Sequence, residues 1–251
     1  MIALTRAVSP TLGECELTHL ERVPIDPGRA AAQHAAYEAE LASAGCRIVA
    51  VPPAPELPDA VFVEDTAVAL PGIAIITRPG AASRRPEVDG VAAVLSEFRP
   101  LEYLEPPATL DGGDVLVVGR TVFVGATART NREGAAQLER ILAPRGYTVV
   151  RVPVEGCLHL KTAVTRVDDD TVLLNPDWVE PHRFHSYRTL EVDPAEPHAA
   201  NVLAVGDRLL VSAAHPRTAE RLAGGRTVVR VDVSELAKAE AGLTCCSVLV
   251  D

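Results

Sequence analysis

The stretch DVLVVGRTVFVGATARTNREGAAQLERILAPRGYTVVRVPV, residues 114–154, decides the fold. Asp114 to Val118 and Thr121 to Val124 are apolar runs of strand length. A helix follows from Asn131 to Ala143, with Asn131 placed to cap its start and Gly146 just beyond its end. Thr148 to Val154 returns to a strand. The unit is therefore strand, strand, helix, strand, and the rest of the chain repeats it.

Upstream, the same order runs through Val61 to Leu70, Ile73 to Arg78, a helix from Pro86 to Phe98, and Leu101 to Glu105. In that helix Val88, Val91, Leu95 and Phe98 recur at helical spacing, so one face is apolar. Downstream, a third copy begins at Leu158 and continues through Thr171 to Leu174, after which the pattern fades. The fourth is Asn201 to Val205, Leu209 to Ser212, a helix from Pro216 to near Gly224, and Thr227 to Val233. A fifth is split over the chain ends: Cys246 to Val250, Ile2 to Arg6, a helix from Pro27 to Ala44, and Arg47 to Val51. Joining both ends in one module is what a closed ring requires. With Asp65, Asp111, His159, Asn201 and Cys245 as markers, the spacings are 111−65=46, 159−111=48, 201−159=42 and 245−201=44. Near-equal intervals favour five modules around an axis, with these polar residues gathered at its centre. The competing arrangement is an ordinary α/β sheet with evenly spaced strands. Residues 7–26, with Pro10, Gly13 and Pro24, fall outside the repeat and read as a long surface loop of the kind that serves as a lid.

The composition sets the outer limits. A chain of 251 residues suits one compact domain, and no apolar run is long enough to span a bilayer. Arg6 comes too early for a secretory apolar stretch, so a soluble cytoplasmic protein is expected. Five cysteines, an odd number with no C-x-x-C pair, favour free thiols over disulfides or a structural zinc site. A net charge of −10 disfavours nucleic acid and anionic membranes as partners and accommodates a small cationic substrate.

Chemistry requires a thiol with a partner, because only the thiolate attacks. Cys245 and Cys246 are the candidates, and strand alternation would turn them to opposite faces. Cys15, Cys46 and Cys157 read as small packed residues. His159, between Leu158 and Leu160, becomes a proton shuttle if it meets the cysteine. His34, His182, His185, His198 and His215 read as surface or structural groups, and His19 lies in the lid. Asp59, Glu64 and Asp65 form one acidic turn and Asp111 and Asp114 another. Turn aspartates commonly bond their own backbone, whereas carboxylates from two modules facing one centre grip the N–H edges of a guanidinium. Arg84 and Arg129 each precede a helix; beside such a pocket they supply forks for a substrate carboxylate.

Six ordered motifs then point to a family. Leu57-Pro58-Asp59 with Val61-Phe62-Val63-Glu64-Asp65, Thr77-Arg78-Pro79-Gly80-Ala81 through Ser83-Arg84-Arg85, Leu110-Asp111-Gly112-Gly113-Asp114-Val115, Arg129-Thr130-Asn131, Leu158-His159-Leu160-Lys161 and Leu243-Thr244-Cys245-Cys246-Ser247 span nearly the whole chain. In these the chain resembles the dimethylarginine dimethylaminohydrolases of the guanidino-group modifying superfamily. The resemblance implies an α/β fold, a five-module pseudosymmetric propeller of ββαβ units forming one catalytic domain over residues 1–251, with one module closed by the termini. It implies Cys245 as nucleophile and His159 as general acid and base, with Asp65 and Asp111 holding the guanidinium and Asp59 and Glu64 lining the pocket. Arg84 and Arg129 would bind the α-carboxylate, and Leu17 and the backbone of Ala239 would touch the amino-acid end. The reaction would give citrulline and an alkylamine through a covalent thiouronium, with no metal or organic cofactor, in a monomer or homodimer. The rivals are an arginine deiminase or dihydrolase acting on unmodified arginine, an amidinotransferase, a propeller-type binding protein, and a zinc site built on Cys245 and His159.

Overall fold

The computed structural model describes residues 1–224 and 226–251. The chain opens with β1 (Ile2–Thr5), α1 (Pro27–Ser43) and β2 (Arg47–Ala50). Asp26 starts α1 by accepting the N–H groups of Gly28 and Arg29, with Pro27 at the first helical position. The helix ends where Gly45, at φ +90°, turns the chain into β2. The next module is β3 (Ala67–Leu70), β4 (Ile73–Ile76), α2 (Val88–Leu95) and β5 (Leu101–Tyr103). It is followed by β6 (Val115–Val118), β7 (Thr121–Ala126), α3 (Arg132–Leu142) and β8 (Thr148–Pro153). The third module begins with a single helical turn, α4 (Leu160–Ala163), and continues through β9 (Val164–Arg166), β10 (Thr171–Leu174) and β11 (Arg188–Glu191). The fourth comprises β12 (Leu203–Val205), β13 (Arg208–Ser212), α5 (Pro216–Arg221) and β14 (Thr227–Val231). A short α6 (Ser234–Ala237) leads to β15 (Val248–Val250), which pairs with β1.

Five three-stranded sheets result, in the orders β15-β1-β2, β3-β4-β5, β6-β7-β8, β9-β10-β11 and β12-β13-β14. In each, the first strand is antiparallel to the second, and the second is parallel to the third, as β6, β7 and β8 show with Val115 opposite Val124 and Thr121 opposite Thr148. Both faces of β7 are covered. Val122 and Val124 pack with Ala135, Leu138 and Leu142 of α3, while Phe123 joins Leu116 of β6 and Val172, Leu174 and Phe184 of the next module. Burial on two sides is why these strands read as continuous apolar runs. Truncating the fully buried Leu138 to alanine costs about 2–5 kcal/mol by the same packing logic.

Contacts between modules run in a circle: β15 meets β3, β6 meets β9, and β9 meets β12. An Arg78–Leu110 bridge ties the first two full modules, and Asn201 bonds Thr244 at 3.1 Å to join the fourth to the fifth. A central cavity of about 190 Å³ is walled by Val68, Leu116, Thr165, Leu203 and Leu249, one from each inner strand. The arrangement is consistent with the five-module ring read from the sequence. None of the helices in the described residues is long and apolar enough to cross a membrane.

The inner strands are shorter than the sequence suggests. Val61 to Leu70 is no single strand, because Val63–Thr66 forms a 3-10 turn before β3. Likewise Gly112–Asp114, α4, Pro197–Ala200 and Thr244–Cys246 lie directly ahead of β6, β9, β12 and β15. The helix read from Pro86 starts at Val88, since Pro86 sits in a 3-10 segment, Ala82–Glu87. In the third module Pro176 and Pro181 lie in the first half of the crossover, and a 3-10 turn, Pro181–Phe184, stands where the others have a helix.

Candidate functional site

Those short turns carry the polar residues. The first strand of each module lines the central cavity, so the turns preceding these strands gather at one end of the ring. Glu64 and Asp65 lie in one turn, Asp111 caps the second, His159 caps α4, and Cys245 is the middle residue of the last. Neither His159 nor Cys245 is within a strand, yet the two cysteines still diverge. Cys246 is buried with its thiol toward the Gly242 carbonyl, whereas Cys245 is half-buried and lines a cavity.

That cavity is walled by Asp59, Asp65, Arg84, Arg129, His159, Ala239 and Cys245, together with Glu16, Phe62, Leu158, Glu240 and Ala241. Only about 20 Å³ of it is open to a solvent-sized body, which is room for about one water. The lid closes it: the Glu16 N–H donates to Asp59 at 3.0 Å, and Arg129 donates to the Thr18 hydroxyl at 3.2 Å.

Three of the expected residues are not part of this wall. Asp111 lies behind His159, fully buried, accepting from Nε2 at 3.0 Å and from the Gly80 N–H at 2.8 Å. Its contact is with the imidazole, and it does not line the cavity. Glu64 faces the central cavity instead, paired with Lys161 at 2.5 Å and accepting from the Thr244 hydroxyl at 2.7 Å. Consecutive residues thus split: Glu64 and Thr244 close off the central cavity, while Asp65 and Cys245 face the site. Leu17 packs on the cluster holding Ala239 and Cys245 but does not line the cavity.

Arg84 also differs from the expectation. Its donors are spent on Glu87 at 2.9 and 3.1 Å, Asp65 at 2.5 Å and the Phe62 carbonyl at 3.1 Å. Arg129 is the less committed fork. One of its terminal nitrogens is buried without a hydrogen bond, 3.5 Å from Asp111.

Charge is unevenly distributed over these groups. Burial alone would lower the His159 pKa, but Asp65, the Asp111 hydrogen bond and Asp114 outweigh it and raise it to about 9. Burial works against ionised Asp65 too, yet His159 and the Arg84 guanidinium hold it well below the usual carboxylate range. For Cys245, burial and the carboxylates of Glu64 and Asp65 push the thiol up to about 12, against the Gly242 N–H, which donates to the sulfur at 3.3 Å. Burial also raises Asp59 and Glu64, takes Glu87 to about 7, and takes Asp114 to about 6. At neutral pH the site therefore holds an imidazolium and a neutral thiol. Asp65, Asp111 and His159 bring donor atoms within 4.8 Å of one another. Arg84 and Arg129 already neutralise the two carboxylates, which opposes a metal ion there.

The sequence reading overlooked Glu87, Glu240 and Glu16. Glu87, three residues beyond Arg84, carried a legible helical-spacing signal. Glu240 and Glu16 carried none, because each acts through a loop.

Comparison with known proteins identifies relatives over the whole chain. A family profile described as arginine deiminase matches residues 53–200. An N(G),N(G)-dimethylarginine dimethylaminohydrolase of Streptomyces coelicolor is 43% identical over 249 residues, covering 98% of this chain and 95% of the relative. The structure of the Pseudomonas aeruginosa enzyme complexed with citrulline superposes with a TM-score of 0.91 at 34% identity, covering 98% of this chain and 97% of that one. A dimethylarginine dimethylaminohydrolase adduct with S-methyl-L-thiocitrulline gives 0.92 at 35% identity, with the same coverage. The chain belongs to the dimethylarginine dimethylaminohydrolase family.

Proposed function

We propose that this protein is a cysteine-dependent hydrolase that converts methylated arginine to citrulline and methylamine or dimethylamine. One observation carries the reading: Cys245, His159, Asp65 and Asp59, from turns remote in sequence, wall a single cavity. The relatives' names supply the substrate class. The catalytic unit is the ring of five modules, residues 1–251. Its five free cysteines fit a reducing, cytoplasmic setting, and the small closed cavity suits a small-molecule partner in either a monomer or a homodimer.

The charge pattern supports a definite order of events. A guanidinium cation settling between Asp59 and Asp65 offsets the negative field at the sulfur, and the thiol gives its proton to water. The Cys245 thiolate then adds to the guanidinium carbon. His159, protonated because Asp65 and Asp111 hold it so, donates to the departing amine as the carbon–nitrogen bond breaks. The resulting thiouronium is attacked by water, from which the now neutral His159 takes a proton. Collapse breaks the carbon–sulfur bond as the adduct's hydroxyl proton passes to the sulfur, releasing citrulline and regenerating the thiol. Asp111 keeps the imidazole in register, and Arg129, less fully hydrogen-bonded than Arg84, is the fork best placed for the substrate carboxylate.

The test is side-by-side incubation with asymmetric dimethylarginine and arginine, with product identification. Citrulline with dimethylamine, and a substrate-derived mass on the Cys245 peptide, is the expected result. Turnover of arginine alone assigns a deiminase, and turnover of neither removes the hydrolase reading.

A further inference from the structure

We propose that Glu240 is the catch that holds the lid shut, and that it must release before a substrate reaches Cys245. The Glu240 carboxylate accepts three consecutive lid amides, from Thr18 at 3.0 Å and from His19 and Leu20 at 2.5 Å. Beyond the Arg129 bond to the Thr18 hydroxyl, little anchors that stretch: Thr18 and His19 are exposed, and Leu20 is 41% exposed. A carboxylate facing three N–H groups binds strongly, yet it fits only one conformation of the loop.

The backbone gives an independent reason. Glu240 is the only non-glycine residue with positive φ among the described residues, at +57°. It follows the end of α6, where its N–H bonds the Ala237 carbonyl and the Ala241 N–H bonds Leu236, a helix ending that favours glycine. A side chain with a carboxylate occupies that position despite the strain, and the lid amides are its partners. Glu240 also stands between two spaces. On one side is the catalytic cavity of about 20 Å³, on the other a cavity of about 220 Å³ that the lid residues His19 and Leu20 also line. An arginine derivative is many times larger than the first space, so the closed state excludes it and opening of this wall must precede binding. The substrate part of the inference rests on the hydrolase reading above; the catch does not.

Glu240→Gly separates the carboxylate from the backbone, because glycine accepts the left-handed conformation without it. Glu240→Asn, which also tolerates that conformation but is too short to reach the lid, serves as the second variant. Hydrogen exchange at residues 18–20 and iodoacetamide labelling of Cys245, located by peptide mapping, are measured without substrate. Both rates should rise at least about tenfold in either folded variant, the ratio lost with one charge-assisted hydrogen bond. Exchange in the five sheets should stay unchanged. With substrate, KM should fall while kcat moves much less, because the latched state no longer competes with binding. Either the exchange or the labelling rate remaining within twofold of the parent overturns the catch. Absence of turnover in the parent removes the hydrolase reading instead, and the two substrate-free rates still decide the catch.

Discussion

Cys245 should titrate as a very weak acid until a cation sits beside it. With the thiol at about 12, only about one molecule in 10⁵ carries a thiolate at pH 7. A guanidinium about 4 Å from the sulfur, at an effective dielectric constant of about 20, favours the thiolate by about 4 kcal/mol. That is about 3 pKa units, enough to bring the bound complex near the His159 value of about 9. The thiolate population then rises about a thousandfold when the site fills, so the resting enzyme is protected from adventitious alkylation while the complex is competent. The assay is thiolate ultraviolet absorbance against pH, as the difference between the protein and Cys245→Ser, with and without an unreactive guanidine ligand. No thiolate step should appear below about pH 10 in the free protein, and a step near 9 should appear with the ligand. A free-protein step centred below pH 9, or none moved by the ligand, refutes the reasoning.

The other predictions concern the supports of the site. His159 binds its proton more tightly when folded, so its contribution of about 3 kcal/mol is fully present below about pH 6.5 and is lost as pH rises through about 9. Glu87, raised to about 7, and Asp114, raised to about 6, act in the same sense, whereas Asp65 opposes them only in acid, below its unfolded value. Urea midpoints should therefore fall from pH 5 to pH 9, and a midpoint that climbs over that range contradicts the charge assignment. In Gly113→Ala the new methyl would lie 2.6 Å from His159 Nδ1 and 2.7 Å from Asp65 Oδ1. That displacement should lower kcat about 100-fold, and unchanged turnover would show that the pair has slack. Lys161→Met leaves Glu64 buried without its cation and should cost about 3–5 kcal/mol in denaturant titrations. Adding Glu64→Leu should restore most of it; a double variant no more stable than the single one would show that charge is not the cause.

The modular repeat was legible because middle strands such as β4 and β10 are buried at every position and each long helix carries a cap or an apolar stripe. Asn131 at the head of α3 and the Val88, Val91 and Leu95 face of α2 are local signals. The third module faded because its crossover holds only a 3-10 turn that starts at Pro181, with no helical period to detect. The same limit hid the lead-in turns, since Gly112–Asp114 and Thr244–Cys246 are three residues each. Motif and resemblance singled out polar residues, several of which wall one cavity, but could not rank their distances from it. Whether Asp111 faces a ligand or an imidazole depends on rotations within a turn, and spacing in sequence is blind to that.

Those turns also explain how carboxylates with opposite tasks fit side by side. In the 3-10 turn before β3, Glu64 and Asp65 diverge, one toward Lys161 in the central cavity and the other toward Arg84 and His159. The turn before β15 repeats the split, sending Thr244 to Glu64 and Cys245 to the site. The Glu64–Lys161–Thr244 cluster then serves as a floor between the two cavities. It keeps one negative charge close enough to suppress the resting thiolate while denying it to the substrate as a direct contact. Exchanging the directions of Glu64 and Asp65 would leave the imidazole without its counter-ion and Lys161 without its own. A one-residue slip in this turn therefore costs both the floor and the shuttle, a tighter constraint on its length than packing of β3 alone would impose.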